Sequence, residues 1–338
     1  MSEKKGAYGT EPPLESQVLN ETEQRMFNLL REEQKIHPMN ATCTDDTVVR
    51  FVRGYAREKP DPVKVTGDKY AAMLEWRKQE RIDDVILNNP PEWETYNKLY
   101  KAFIYGRDKL GRPVCYEQLG KLEPNDLVKF GVDKLEKGHI RYMEELTKLK
   151  WHVSREKKSR IYKHVHVIDL DGFGWKHLGS KFRGTIKKIM GIDSSFYPET
   201  LQKLFILNSS MTFRALWSIV KPWIHPLTRQ RIVMLGYDKA YNLKMLQEYI
   251  DIEQIPEYLG GKNKDPMLGI CHMKFDDIDY KDDKATWKSE SEDPRAIAAR
   301  AGEEGIKASA TENGTKGAAT EIATKGEDAL APNKAEGS

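Results

Sequence analysis

The most informative segment of the chain is Ile161-Tyr-Lys-His-Val-His-Val-Ile-Asp-Leu170. It is rich in β-branched residues, which favour a pleated strand. Because successive side chains of a strand point to opposite faces, His164 and His166 share one face. Val165 and Val167 occupy the other. The segment therefore predicts a strand with one apolar face and one face that carries two imidazoles.

Predicted strands and helices alternate on both sides of this segment. Downstream, strands are predicted at 204–207 and 231–235, and helices at 178–190, 212–220 and 242–249. Upstream, two short strands at 102–105 and 113–119 predict a hairpin. Apolar positions spaced alternately by four and three predict one long helix after the hairpin: Val128, Val132, Leu135, His139, Tyr142, Leu146 and Leu149. Helices between strands imply crossover connections, so we expect an α/β fold with a mixed, mainly parallel sheet.

The two ends of the chain differ from this centre. Residues 21–90 predict a small all-helical unit, and 91–275 hold the α/β domain. The first twenty residues are predicted to be disordered. The last 48 residues contain 12 Ala, 6 Gly and no aromatic side chain, so a disordered tail is expected at 286–338.

Composition excludes several classes of protein. The chain has 55 basic and 52 acidic residues, a balance that does not indicate a nucleic-acid binder. No apolar run is long enough to span a membrane, and residues 1–20 lack the apolar centre of a signal peptide. Three widely spaced cysteines argue against a disulfide framework and favour a reducing compartment. We therefore expect a cytoplasmic protein.

One segment is locally basic. Residues 148–163 contain seven basic side chains and one acid, Glu156. The basic residues are Lys148, Lys150, Arg155, Lys157, Lys158, Arg160 and Lys163. A solvated surface loop is the simpler interpretation, and attraction to anionic lipid head groups is the alternative.

Motifs for catalysis and for cofactors are incomplete. The chain has no Gly-x-Ser-x-Gly elbow and no His-Glu-x-x-His helix, and Asn263 follows Gly260-Gly-Lys262 where a phosphate loop needs Ser or Thr. Asp171-Gly-Phe-Gly174 lacks the third glycine of a dinucleotide fingerprint, because His177 stands there. We predict no catalytic residue, no cofactor and no metal site. His164 and His166 remain open to three interpretations: hydrogen-bonded core residues, polar groups lining a cavity, or metal ligands that lack a third partner.

A short apolar helix near residue 216 also has two interpretations. Phe213, Leu216, Trp217 and Val220 show the spacing of one helical face. This helix either faces the core or forms a lid over an apolar ligand, with its outer face toward lipid.

Six motifs in order resemble a known family. They are Asp108-Lys-Leu-Gly-Arg-Pro-Val114, Asp169-Leu-Asp-Gly172, Ser195-Phe-Tyr-Pro-Glu-Thr200, Phe205-Ile-Leu-Asn208, Trp217–Pro226 and Pro256-Glu-Tyr-Leu-Gly-Gly261. Together they resemble the CRAL-TRIO lipid-binding domain, in particular the yeast-type phosphatidylinositol/phosphatidylcholine transfer proteins. Asp46–Arg53 resembles the helical unit that precedes this domain.

The resemblance implies a lipid-binding module and not an enzyme. The sheet would form the floor of an apolar cavity that holds one lipid, and residues 210–223 would form the gating helix. The implied partners are a phospholipid, a membrane surface that is met transiently, and a lipid kinase that receives the lipid. The implied location is cytoplasmic, with peripheral association to Golgi or endosomal membranes. Two alternatives stay open: a carrier of a sterol or an isoprenoid, and a lipid-anchored scaffold or regulator.

Residue roles also follow from the resemblance. Glu199 and Arg231 match the positions that hold the inositol phosphate, and Arg57 is the nearest substitute for a basic pair that the family has at positions 55 and 56. At the choline site, Tyr142 matches a family tyrosine. His164 and His166 replace a serine and a threonine, while Ile104 and Cys115 replace tyrosines. We therefore expect binding of phosphatidylinositol to persist and binding of phosphatidylcholine to be weak or replaced.

Overall fold

The structure is a computed structural model that describes residues 14–36, 44–88 and 90–264. The predicted domain end at 275 and the predicted tail at 286–338 lie outside the described residues, as do Cys43 and Cys271. Cys115 is a buried free thiol. Within the described ranges, no helix combines the length and the apolarity that crossing a bilayer requires.

One five-stranded sheet forms the centre of the fold. Its strands are β1 (Ala102–Arg107), β2 (Pro113–Glu117), β3 (His164–Asp169), β4 (Leu201–Leu207) and β5 (Ile232–Met234). They lie side by side in chain order. The β1–β2 hairpin is antiparallel, whereas β2 through β5 are parallel to one another. The predicted mixed, mainly parallel sheet is therefore confirmed.

Eleven α-helices are found in the described part of the chain. They are α1 (Glu21–Ile36), α2 (Asp45–Tyr55), α3 (Pro62–Gln79), α4 (Ile82–Leu87), α5 (Trp93–Leu99), α6 (Pro124–Phe130), α7 (Val132–Lys157), α8 (Ser180–Phe196), α9 (Met211–Val220), α10 (Pro226–Arg229) and α11 (Lys239–Gln247). The first four confirm the predicted helical start of the chain. Helices α1, α2 and α3 share one apolar cluster, which Tyr162 joins from the segment before β3.

The two faces of the sheet pack against different layers. Val165 and Val167 belong to a buried cluster that includes Leu246 of α11. The opposite face, here called the histidine face, carries His164 and His166. Helix α7 covers one end of the histidine face and α9 covers the other. The alternation of residues 164–167 thus correctly predicted that the two valines and the two histidines face opposite sides of the sheet.

The long helix predicted from residue 128 is interrupted. Gly131 has φ 102° and ψ 139°, and it separates α6 from α7. Val128 therefore lies on α6, while the other members of the predicted stripe lie on α7. The apolar spacing gave no sign of the break, because a spacing of four fits a continuous helix as well as two helices joined at a glycine.

The basic segment at 148–163 is not a solvated loop. Helix α7 continues to Lys157, and four of the seven basic side chains are buried: Lys148, Lys150, Arg160 and Lys163. Arg160 Nε lies 2.9 Å from Asp46 Oδ1 of α2. The prediction was wrong because a run of charges in one sequence does not reveal acidic partners elsewhere in the chain.

The N-terminal segment makes fixed contacts at residues 15–19, where disorder was expected up to residue 20: Glu15 and Leu19 are buried, although Val18 is exposed. Glu15 has no exposed surface, and its carboxylate accepts from Nε and Nη2 of Arg112 at 2.8 and 2.7 Å. Arg53 donates to the carbonyl oxygens of Glu15 and Gln17 at 3.1 and 2.6 Å. This segment is thereby fixed to both the hairpin loop and α2.

Candidate functional site

Glu199, Arg231 and Lys163 form a charged cluster. Nη2 of Arg231 donates to Oε1 and Oε2 of Glu199 at 3.0 and 2.8 Å, and Nη1 donates to the Leu201 carbonyl oxygen at 2.8 Å. Nζ of Lys163 donates to Glu199 Oε2 at 3.0 Å. The structure thus brings together the two residues predicted for an inositol phosphate and adds a lysine.

The topology of the sheet positions this cluster. Lys163 precedes β3, Glu199 lies in the turn before β4, and Arg231 precedes β5. Since these strands are adjacent and parallel, their amino ends meet at one edge of the sheet. Glu199 adopts a left-handed conformation with φ 58°, which an acidic residue tolerates only in a well-determined turn.

Electrostatics favour a charged cluster with an excess of positive charge. Burial raises the pKa of Glu199, but the charges of Lys163 and Arg231 outweigh burial and lower the pKa below its usual value. The side chains of Lys163 and Glu199 are 7% and 11% exposed, whereas that of Arg231 is 22% exposed. Two cations therefore face one carboxylate, and the guanidinium is the group most accessible to an anion.

Arg57 is not part of this cluster. Its side chain is exposed just beyond the end of α2, and no hydrogen bond or ion pair joins it to Glu199 or Arg231. The hydroxyl of Tyr55, which stands at one of the two positions of the family's basic pair, donates to the Ser194 carbonyl oxygen at 3.2 Å. Arg231 and Lys163 are thus the two cations that contact Glu199.

A second polar group lies on the histidine face. The rings of His164 and His166 are 6.0 Å apart between centroids, as expected for neighbours on one strand face. His166 Nε2 is 3.4 Å from Oε2 of Glu117, whose Oε1 accepts from the Tyr100 hydroxyl at 2.8 Å. Burial, assisted by the charge of Lys150 and by His166, lowers the pKa of His164 well below its usual value. His164 is therefore a neutral ring at physiological pH.

Tyr142 of α7 packs against the sheet beside this polar group. It is buried in one cluster with Ile104 and Cys115, the two residues that stand where the family has tyrosines. Burial raises the pKa of the Cys115 thiol to about 12, so this thiol stays protonated. Among the residues that the structure describes, no group of three His, Cys, Asp or Glu side chains is arranged to hold a metal ion.

Helix α9 lies over the other end of the histidine face. Phe213, Leu216 and Val220 are buried, and Trp217 is half-buried. Phe213 meets Phe173 edge-on, with ring centroids 5.4 Å apart. The sheet residues associated with α9 retain accessible surface, although they belong to an inner face: Ile168, Leu204, Ile232 and Met234. The four predicted positions thus form the inner side of α9, which faces apolar sheet residues that are only half-buried.

Sequence reasoning missed three residues of these sites. Lys163 and Lys150 were treated only as members of the basic segment, and Glu117 was not considered. A signal existed for two of them. Lys150 comes four residues after Leu146, on the same helical stripe, and Glu117 shares a strand face with Cys115 two residues earlier. The pairing of Lys163 with Glu199 spans 36 residues of sequence and left no local signal.

Comparison with known proteins identifies curated relatives. The phosphatidylinositol/phosphatidylcholine transfer protein SFH7 of Arabidopsis thaliana is 32% identical over 219 residues, which is 63% of this chain and 38% of the relative. SFH9 of Arabidopsis thaliana, a transfer protein of the same description, is 29% identical over 270 residues, or 78% of this chain and 45% of the relative. This chain thus spans less than half the length of either relative.

Fold comparison agrees with the sequence comparison. The crystal structure of Sfh5 superposes with a TM-score of 0.57 and 17% sequence identity, covering 77% of this chain and 96% of that chain. At this identity the likeness concerns the fold alone. The family model described as the CRAL/TRIO domain matches residues 97–261. This match includes the whole sheet, α9 and the charged cluster, so this part of the chain is similar to the CRAL/TRIO domain.

Proposed function

We propose that the protein encloses one phospholipid between the histidine face and α9 and exchanges it at membrane surfaces. The observation that carries this proposal is the row of half-buried apolar side chains beneath α9, at Ile168, Leu204, Ile232 and Met234. Each buried methylene group contributes about 0.8 kcal/mol, so acyl chains require a continuous apolar surface of this kind. The names of the two plant relatives support the same ligand class.

Helix α9 would act as the gate. Its amino end is capped by the Ser210 hydroxyl, which accepts from the Phe213 amide at 3.2 Å, and Lys221-Pro222 ends it. Its outer side exposes Met211 and Ile219, at 78% and 43%. Such a helix can exchange its inner contacts for contacts with lipid at a bilayer surface.

Phosphatidylinositol is the proposed preferred ligand. The support is the cluster at Glu199, where Arg231 offers a planar fork that suits a phosphate group and Lys163 adds a second charge. The role is binding and exchange, with presentation of the lipid to a kinase as one use. Peripheral association with Golgi or endosomal membranes from the cytoplasm belongs to the same proposal, and imaging of a tagged full chain would test it.

Lipid analysis and transfer assays test the proposal together. Mass spectrometry should find phosphatidylinositol bound to the purified full chain, and the chain should move labelled phosphatidylinositol between vesicles. The double variant Glu199→Ala, Arg231→Ala should lose this lipid, while Arg229→Ala, a charge removal on α10, should retain it. Absence of any bound lipid and of any transfer would contradict the proposed function.

A second candidate is a carrier of a sterol or an isoprenoid. The specific observation in its favour is that the apolar Ile104 and the buried Cys115 stand in one cluster with Tyr142, at positions where the family has tyrosines. Choline recognition depends on aromatic faces around the quaternary ammonium. A neutral hydrophobe in the lipid extract, bound to the double variant as tightly as to the parent, would favour this candidate.

A further inference from the structure

Lys150 is a buried lysine whose charge has no assigned role. It lies on the inner stripe of α7, four residues after Leu146 and eight after Tyr142. Only 3% of its surface is exposed, and its Nζ finds no hydrogen-bond partner among the described protein groups. A buried ammonium without a partner is costly, and proteins rarely retain one by chance.

The histidine face supplies a second nitrogen in the same condition. His164 is 5% exposed, and its Nδ1 also finds no hydrogen-bond partner in the described part of the protein. Leu146 and Leu149, which flank Lys150 on α7, pack against Cys115 of β2. Cys115 pairs with His166, whose ring lies 6.0 Å from that of His164, and Lys150 acts electrostatically on both His164 and Cys115. Helix α7 and strand β3 thus each place a buried nitrogen, without a hydrogen-bond partner among the described residues, between α7 and the sheet.

The nearby acids do not neutralise Lys150. Glu144 is bridged by Arg77 at 2.8 Å, and Glu15 is bridged by Arg112 at 2.7 Å. Glu117 is bonded to Tyr100 and faces His166. Arg50 adds a further positive charge that acts on Lys150. Neither the Lys150 Nζ nor the His164 Nδ1 therefore makes a hydrogen bond to a carboxylate of the described residues.

We propose that Lys150 and His164 bind the negatively charged oxygen atoms of an acidic amphiphile, either a carboxylate or a phosphate monoester. The hydrocarbon chain of this ligand lies along the half-buried apolar row beneath α9. This inference rests on the proposed function and names the ligand class for the second polar site. Lys150 and His164 are not members of the cluster at Glu199, so an acidic ligand here does not require an inositol head group.

A matched pair of ligands and a matched pair of variants test the proposal. Oleate and oleyl alcohol have the same hydrocarbon chain, but only oleate carries a negative charge. Oleoyl lysophosphatidate is the third ligand, and it tests a phosphate monoester in place of the carboxylate. Binding to the full chain is measured by displacement of a fluorescent fatty-alcohol analogue. The parent should bind at least one of the two acids about tenfold more tightly than the alcohol, since hydrogen bonds to a charged group contribute that much. The acid with the larger preference identifies the head-group chemistry.

Lys150→Met should abolish the preference for the acid and leave affinity for oleyl alcohol unchanged. Lys148→Met is the control, because Lys148 is equally buried on α7 but acts on Glu145 instead. Equal affinity of the parent for all three ligands overturns the proposal, even if a variant fails to fold. Persistence of the acid preference in folded Lys150→Met also overturns it.

The same measurements separate this inference from the proposed function. If the parent transfers phosphatidylinositol but shows no preference for acids over the alcohol, only the role of Lys150 and His164 is wrong. If the parent binds neither phosphatidylinositol nor any of the three single-chain probes, the proposed function fails as well.

Discussion

The Arg231 guanidinium meets both carboxylate oxygens of Glu199, at 3.0 Å from Oε1 and 2.8 Å from Oε2. This pairing holds the guanidinium in a fixed plane at the amino ends of β4 and β5. A phosphate group that arrives here meets an oriented donor instead of a mobile side chain, so less conformational entropy is lost on binding. Lys163 keeps the cluster net positive while Glu199 remains ionised.

Replacing Arg231 by lysine should show whether lipid binding needs only the positive charge of this residue or also the planar shape of its guanidinium. Arg231→Lys retains the positive charge but loses the two-oxygen contact with Glu199. We expect transfer of phosphatidylinositol to fall by about tenfold, because a planar guanidinium offers several fixed N–H donors to a phosphate group, whereas an ammonium acts as a point charge. A vesicle assay with labelled lipids measures this change, and Arg229→Lys is the control. Unchanged transfer would show that the fork is dispensable.

Lys163 should contribute to the same head-group selection. Lys163→Met removes one of the two cations and leaves Glu199 paired with Arg231 alone. We expect affinity for phosphatidylinositol to decrease by roughly three- to tenfold, with affinity for uncharged ligands unaffected. Lys203→Met on β4 is the control, since Lys203 lies near the Tyr249 ring on the opposite face of the sheet. Equal losses for charged and uncharged lipids would indicate a structural role.

The inner and outer sides of α9 should respond differently to truncation. Leu216→Ala removes a buried side chain, and the expected loss in free energy of unfolding is about 2 kcal/mol, the low end for such changes, because the sheet residues beneath α9 are only half-buried. Ile219→Ala, on the outer side, should leave stability nearly unchanged but slow lipid exchange at vesicles. Denaturant unfolding and transfer rates provide the two measurements. Faster exchange with Ile219→Ala would argue against a membrane-facing role.

Stability should depend on pH through Lys150. Burial, reinforced by Arg50, lowers the pKa of Lys150 from the ordinary 10.5 to about 7. Between these values the unfolded chain binds a proton that the folded chain does not, so this group makes the parent more stable as pH rises. Lys150→Met should therefore exceed the parent in thermal stability most clearly near pH 7, and the difference should shrink toward pH 10. A difference that is constant with pH would contradict the lowered pKa.

The sheet and its two layers were predictable from local patterns. Alternation at His164–Val167 has period two, and a slip by one residue would move the imidazoles into the apolar layer that contains Leu246. The residues on the inner side of α9 were predictable in the same way, from the helical spacing of Phe213, Leu216, Trp217 and Val220. Features that depend on partners far along the chain were not predictable. The burial of Lys148 and Lys150 and the pairing of Lys163 with Glu199 have no local pattern, and the break at Gly131 preserved the apolar spacing on both sides.

The ion pair between Glu15 and Arg112 gives the fold a mechanical property. It joins two points 97 residues apart in sequence, and both side chains are almost completely inaccessible to water. A force applied to the amino end of the chain would load this contact before it reached α1, and rupture would leave the buried Arg112 with Asp108 as its remaining carboxylate partner, at 3.3 Å. The chain should therefore resist being pulled open from its amino end, and unravelling under tension should begin with an abrupt step instead of gradual peeling.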